Sequence, residues 1–130
     1  VQSNIITLIC KDEGVGVTPY LPLAAGRLTR YWNERTSRSE NDQVAKGLFI
    51  KTEEADRKVA ERVAEVSSDR GIPHAQIALA WLLQKEEVTA PIIGSTKISH
   101  LEDAVSALSV KLTPEEITSL EELYIPHPLV

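Results

Sequence analysis

Cysteine is almost absent from the 130 residues: Cys10 stands alone, which excludes a disulfide within the chain and any zinc site built on several thiolates. A reducing compartment is the simplest reading, so a cytoplasmic location is expected. Aromatic residues make up only 5%, and 14 Lys and Arg face 19 Asp and Glu for a net charge of -5. A nucleic-acid binder needs a basic face with stacking rings, so no such partner is expected. No apolar run approaches the ~18 residues that span a bilayer. The opening Val1, Gln2, Ser3 and Asn4 carry neither the charged leader nor the apolar core of a signal peptide. His74, His100 and His127 are dispersed, with no pair at metal-ligand spacing, and no metal site is expected. The first residue is not Met and lies close to an apolar stretch, which raises the expectation of a piece of a longer polypeptide.

What is present is a globular composition, 42% hydrophobic and 25% charged, at a length that buries about two thirds of the unfolded surface. Ile5, Ile6, Leu8, Ile9 and Cys10 recur on a broad helical stripe that predicts a short helix ending at Gly14. Val15, Gly16, Val17, Thr18, Pro19 and Tyr20 form a β-branched run closed by proline, the pattern of a buried strand opening into a loop. A polar surface loop is expected over 29–41. Thr52 with Glu53 and Glu54 predicts an N-cap with acids in the first turn, and Ala55, Val59, Val63 and Val66 line one helix face as far as Gly71. After Pro73 a second helix is apolar on most sides through Ala75, Ile77, Leu79, Trp81 and Leu83, and is expected to be buried.

A second strand is predicted over 88–93, released by Gly94. Ser99 with Glu102, and Thr113 with Pro114 and Glu116, both read as capping boxes opening helices. The acids Glu115, Glu116, Glu121 and Glu122 read as a solvated face, and the tail Ile125, Pro126, His127, Pro128 cannot be helical. Two strands joined through helices imply a right-handed parallel crossover and an α/β architecture. Ligands of such folds bind beyond the C-terminal strand ends. Two loops lie there. One is Tyr20-Leu-Pro-Leu-Ala-Ala-Gly-Arg-Leu28, whose small residues let backbone amides approach an anion. The other is Gly94-Ser-Thr-Lys-Ile-Ser-His100, where hydroxyls and an ammonium precede a helix start suited to phosphate. An ordinary capping loop fits the second equally well. The cluster Arg27, Arg30, Arg35 and Arg38 reads either as an attractor of phosphates or as a solvated loop. Trp32 fits a surface anchor as well as a substrate contact.

Three segments share a resemblance. Val15-Gly-Val-Thr-Pro-Tyr-Leu-Pro-Leu-Ala-Ala-Gly-Arg-Leu28 and Val88-Thr-Ala-Pro-Ile-Ile-Gly-Ser-Thr-Lys-Ile-Ser-His-Leu-Glu-Asp103 resemble the seventh and eighth strand segments of the aldo-keto reductases. Ala75-Gln-Ile-Ala-Leu-Ala-Trp-Leu-Leu83 resembles the helix between them. The resemblance implies the C-terminal portion of a (β/α)8 barrel, an incomplete domain over 1–130 with about two parallel strands and their helices. It implies a segment of an NADP(H)-dependent oxidoreductase that reduces aldehydes or ketones. In that reading Tyr20 stacks on the nicotinamide, while Leu21, Pro22, Leu23, Gly26 and Leu28 belong to a loop wrapping the pyrophosphate. Gly94, Ser95, Thr96, Lys97, His100 and Asp103 surround the 2'-phosphate and adenine.

Two departures stand out. Leu21 takes the place where the family usually has Ser, and Asp103-Ala104 replaces a frequent Glu-Asn pair. The family's catalytic Asp, Tyr, Lys and His lie on its first four strands, and Tyr20, Tyr31 and Tyr124 do not match its catalytic tyrosine. No catalytic residue is therefore assigned, and the chain alone is expected to be inactive. The expected partners are a small carbonyl substrate in the complete enzyme and, for this chain, the rest of the barrel or another copy. The alternative is a non-catalytic α/β interaction module of the same shape.

Overall fold

The computed structural model describes residues 4–34 and 52–126. Arg35, Arg38, His127 and Pro128, named above, fall outside them. Among the described residues five helices run in the order α1 (Asn4–Asp12), α2 (Glu53–Arg70), α3 (His74–Leu83), α4 (Ile98–Ser106) and α5 (Pro114–Glu121), with short 3-10 turns at Ala24–Gly26 and Ala107–Ser109.

The core is helical. Val63 and Val66 of α2, Ile77 and Ala80 of α3, Leu112, and Leu120 of α5 form one buried cluster, with Leu28, Ile72, Trp81, Val110 and Ile117 packed against it. The apolar character of α3 on most sides has its counterpart in the burial of Ile77, Ala78, Leu79, Ala80 and Leu82. Trp81 joins the core while its indole N–H donates to Glu121 at 2.8 Å. α2 stops at Gly71, which adopts the left-handed conformation (φ 64°) available to glycine at low cost.

The predicted strands form less completely than expected. Residues 15–20 and 88–93 lie side by side and parallel, but their pairing is confined to two isolated bridges, Val17 with Val88 and Tyr20 with Ile92. Three steps along the first segment match four along the second, so the register slips by one residue between the bridges. Proline explains much of this, because Pro19 and Pro91 each lack the N–H that a continuous ladder needs. The remaining bonds are Thr89 N–H to Val17 O at 2.8 Å and Ile92 N–H to Pro19 O at 2.9 Å. The Val17 N–H donates to the Thr89 hydroxyl at 3.2 Å. That hydroxyl sits where a Cβ on residue 16 would meet it at 2.6 Å, so Gly16 is what allows the two segments to approach.

Helix starts also depart from expectation. Thr113 forms the full capping box: its hydroxyl accepts from Glu116 N–H at 3.2 Å, and its own N–H donates to the Glu116 carboxylate at 2.8 Å. Ser99 does not cap α4, which begins one residue earlier with Lys97 in the cap position and no side-chain cap bond. Thr52 precedes α2 but donates its hydroxyl to Asp56 at 2.8 Å instead of capping the backbone.

The acids of the last helix are less free than a solvated face. Glu116 takes two bonds from Arg70, at 2.6 and 2.7 Å, and Glu122 accepts from Arg62 at 2.9 Å. Glu121 meets Lys85 as well as Trp81. The Arg70 guanidinium also reaches Lys111 O at 2.7 Å, tying α2 to the segment before α5.

Hydrogen bonding from Arg70 holds the Glu116 carboxyl below its ordinary value of 4.5. A carboxyl depressed on folding stabilises the fold above its unfolded titration, and that contribution disappears as the pH falls through the folded one. Glu116→Gln keeps a side chain able to close the box while removing the charge. It should cost about 1–2 kcal/mol at neutral pH. The gap from wild type in urea melts should begin to narrow near pH 4.5 and close only once the pH has fallen below the depressed folded titration of Glu116. A gap that persists at low pH would locate the effect in packing.

Candidate functional site

The two bridges set the site. Tyr20 and Ile92 are paired in parallel, so the loops that follow them leave from the same end, next to each other. Parallel pairing thus brings together the loop starting at Tyr20 and the one starting at Gly94.

The first loop has an unusual backbone. Leu21, Ala24 and Ala25 have positive φ (58°, 49° and 56°), and Gly26 follows at 87°. Non-glycine residues there cost of order 1–3 kcal/mol each, so the surroundings must hold the turn. Four bonds do so within the loop: Ala24 N–H to Leu21 O, Gly26 N–H to Leu23 O, Arg27 N–H to Ala24 O, and Leu28 N–H to Leu23 O. Glycine is favoured at residue 26 by its φ of 87°, while the Arg30 guanidinium that a Cβ would meet at 2.7 Å is the end of a flexible side chain and could shift aside. Tyr20 is exposed at the head of the loop, Pro22 and Leu23 are half-buried, and Leu28 anchors the far end on the core.

Beyond Leu28 the chain is fastened to the start of α3. Tyr31 presents its ring edge-on to His74, with centroids 4.9 Å apart and planes at 80°. His74 is buried at the first position of α3. The Arg27 guanidinium lies 5.1 Å from the Trp32 ring centre, and Arg30 donates to Glu34 O at 3.1 Å. Within the described part of the arginine cluster, both cations thus have contacts inside the chain. Trp32 serves as the surface against which Arg27 stacks.

The second loop is open. Gly94, Ser95, Thr96, Lys97, Ser99 and His100 are all exposed. The Ser95 hydroxyl closes a tight turn, donating to Lys97 O at 2.6 Å and accepting from Lys97 N–H at 3.3 Å. Lys97 is left extended at the start of α4, with no carboxylate partner among the described residues. The first amides of α4 have no side-chain cap, and they carry the partial positive charge of a helix start. One turn along, Asp103 is half-buried and accepts from the Gln76 amide of α3 at 3.0 Å.

Sequence reasoning singled out both loops and missed the side chains that brace them. Gln76 is one. Away from the loops Gln84 was missed too: its amide accepts from Leu112 N–H at 2.7 Å and donates to Leu112 O at 3.3 Å, serving as a substitute backbone partner for the segment before α5. Gln76 lies within α3 and Gln84 just after its end, and their partners are 27 and 28 residues away, so no local signal marks them. Among the described residues no three His, Cys, Asp or Glu side chains come together as a metal site, and no helix is long and apolar enough to cross a membrane.

The geometry has counterparts in known proteins. A versiconal hemiacetal acetate reductase of Aspergillus parasiticus is 38% identical over 124 residues, covering 92% of this chain and 36% of the relative. A putative aryl-alcohol dehydrogenase of Saccharomyces cerevisiae is 38% identical over 117 residues, covering 89% of this chain and 34% of the relative. Norsolorinic acid reductase B of Aspergillus parasiticus is 34% identical, covering 89% and 30%. The chain therefore spans about a third of the length of the curated relatives it matches. The model of the Aldo/keto reductase family matches residues 1–125, and the chain belongs to that family, whose fold is the (β/α)8 barrel.

Proposed function

We propose that residues 1–130 are the cofactor-binding C-terminal part of an NADP(H)-dependent reductase of aldehydes or ketones, contributing two β/α units of the barrel. The observation that carries this reading is the parallel bridge between Tyr20 and Ile92, which sets the strained loop and the open loop beside each other. Relatives named as reductases and aryl-alcohol dehydrogenases support carbonyl and alcohol chemistry.

The residues present suit a phosphorylated dinucleotide. Tyr20 offers an exposed flat ring with a polar tip at the mouth of the pair. The turn from Leu21 to Gly26 is held compact by its own backbone bonds, with Leu21, Ala24, Ala25 and Gly26 at positive φ, and the small residues Ala24, Ala25 and Gly26 suit a pyrophosphate approaching the backbone. Lys97 and the uncapped amides of α4 favour a phosphate monoester. When bound, the cofactor supplies hydride, and this chain's residues bind and orient it. Proton donation to the carbonyl oxygen is assigned to no residue of this chain.

Lys97 should distinguish the cofactors. In the complete reductase Lys97→Ala should weaken NADPH binding by about 1.5–3 kcal/mol, on the order of ten- to a hundredfold, and leave NADH nearly unchanged. Fluorescence titration with both nucleotides checks this. Equal losses would put Lys97 away from the 2'-phosphate, and failure to bind either nucleotide would favour the non-catalytic interaction module.

A further inference from the structure

We infer that Gln76 is a positioning residue for the adenosine end of the cofactor, acting through Asp103; this rests on the reading of residues 94–103 given above. Asp103 is the sixth residue of α4. Helical spacing puts it on the face of Ser99 and His100, and side chains on a helix lean toward its N-terminus. Its carboxylate therefore leans toward the end where the open loop enters. A carboxylate there suits the amino group of an adenine, which needs an acceptor. It suits the phosphate poorly, since like charges repel.

A free Asp on a surface helix samples several rotamers, and ordering it on binding costs affinity. The Gln76 amide at 3.0 Å removes that freedom by holding one oxygen, Oδ1, and leaves Oδ2 to accept from a ligand. A neutral donor is the right choice for this purpose. A Lys or Arg in its place would compete with the ligand for the charge, whereas an amide orients the carboxylate without neutralising it. Gln76 lies in the first turn of α3, the helix that carries the buried Ile77, so the brace is fixed to a helix packed in the core.

The probe is adenosine 2',5'-bisphosphate, titrated calorimetrically into the complete reductase. Gln76→Leu keeps the size and removes the donor, and should weaken binding about three- to tenfold. Asp103→Asn should weaken it by a similar factor, and the pair Gln76→Leu with Asp103→Asn by no more than either alone. A pair of changes distinguishes positioning from mere helix docking. Gln76→Glu with Asp103→Asn restores a hydrogen bond between α3 and α4 but moves the carboxylate to α3, so the melting temperature should recover while the affinity does not. Recovery of both would overturn the inference, because it would show a structural clamp only. Unchanged affinity in Gln76→Leu would also overturn it. Absence of binding by the unmodified reductase would overturn the cofactor-loop reading itself, and with it the role of Gln76.

Discussion

Ile77→Ala should destabilise the chain by about 2–5 kcal/mol, the largest effect expected of a single truncation. Ile77 is fully buried, at 0% exposure, where α2, α3 and α5 meet. Removing its outer carbons takes away both their transfer free energy and their packing partners, and the surrounding Val63, Val66, Ala80 and Leu120 can close the space only in part. In thermal melts this should appear as a drop of about 10 °C or more. Leu101→Ala is the control, since Leu101 is 51% exposed on α4 and should cost less than about 0.5 kcal/mol. Similar small shifts for both would mean that the helical core does not close around α3.

The contrast between these two leucine-like positions shows what a sequence can reveal and what it cannot. Burial of α3 was legible, because a ten-residue helix with apolar residues on every side has no face to give to water. Exposure of α4 was not, because Ile98, Leu101 and Val105 carry the same stripe that elsewhere marks a core-facing helix. Local chemistry was legible only where nothing upstream competed. Thr113 and Ser99 present the same capping letters, yet only Thr113, followed by proline at the first helical position, closes its box. Ahead of Ser99, the turn made by Ser95 leaves Lys97 extended, and the helix starts early.

Within the site, the two loops could be found from their residues and from the resemblance they carry. Their adjacency follows from parallel pairing. The long-range bonds do not: Arg70 to Glu116, Gln84 to the backbone of Leu112 and Gln76 to Asp103 link residues 27 to 46 apart, and each polar side chain among them, taken alone, reads as an ordinary solvated one. The extended segments were recognisable from their β-branched residues. What those residues could not convey was the length of pairing, which two prolines and a one-residue slip reduce to two bridges.

Self-association of the chain is the other large effect expected, and it follows from the same exposed stripes. Ile98, Leu101, Val105 and Leu108 recur at spacings of three and four residues, and all are at least 51% exposed. On α1, Ile5, Ile6, Leu8 and Ile9 are each more than half exposed, and Lys11 pairs with Glu86 at its far end. Each such side chain gains about 1.5–3 kcal/mol when fully buried, and contiguous apolar surface of this kind is seldom left open by a monomer. The outer edges of the segments containing Val17 and Val88, which have no further strand beside them among the described residues, add backbone donors and acceptors that invite further pairing. Sedimentation velocity at tens of micromolar should therefore show dimers or larger species. Replacing Leu101 and Val105 together by Lys should shift them toward monomer and make the melting temperature independent of protein concentration, while leaving the core intact, because neither residue is part of it. High salt should strengthen the association rather than weaken it, as expected when apolar burial outweighs the acidic net charge of -5. A wild-type chain that sediments as a monomer across that range would show that these stripes tolerate water, and the double Lys variant would then have nothing to disrupt.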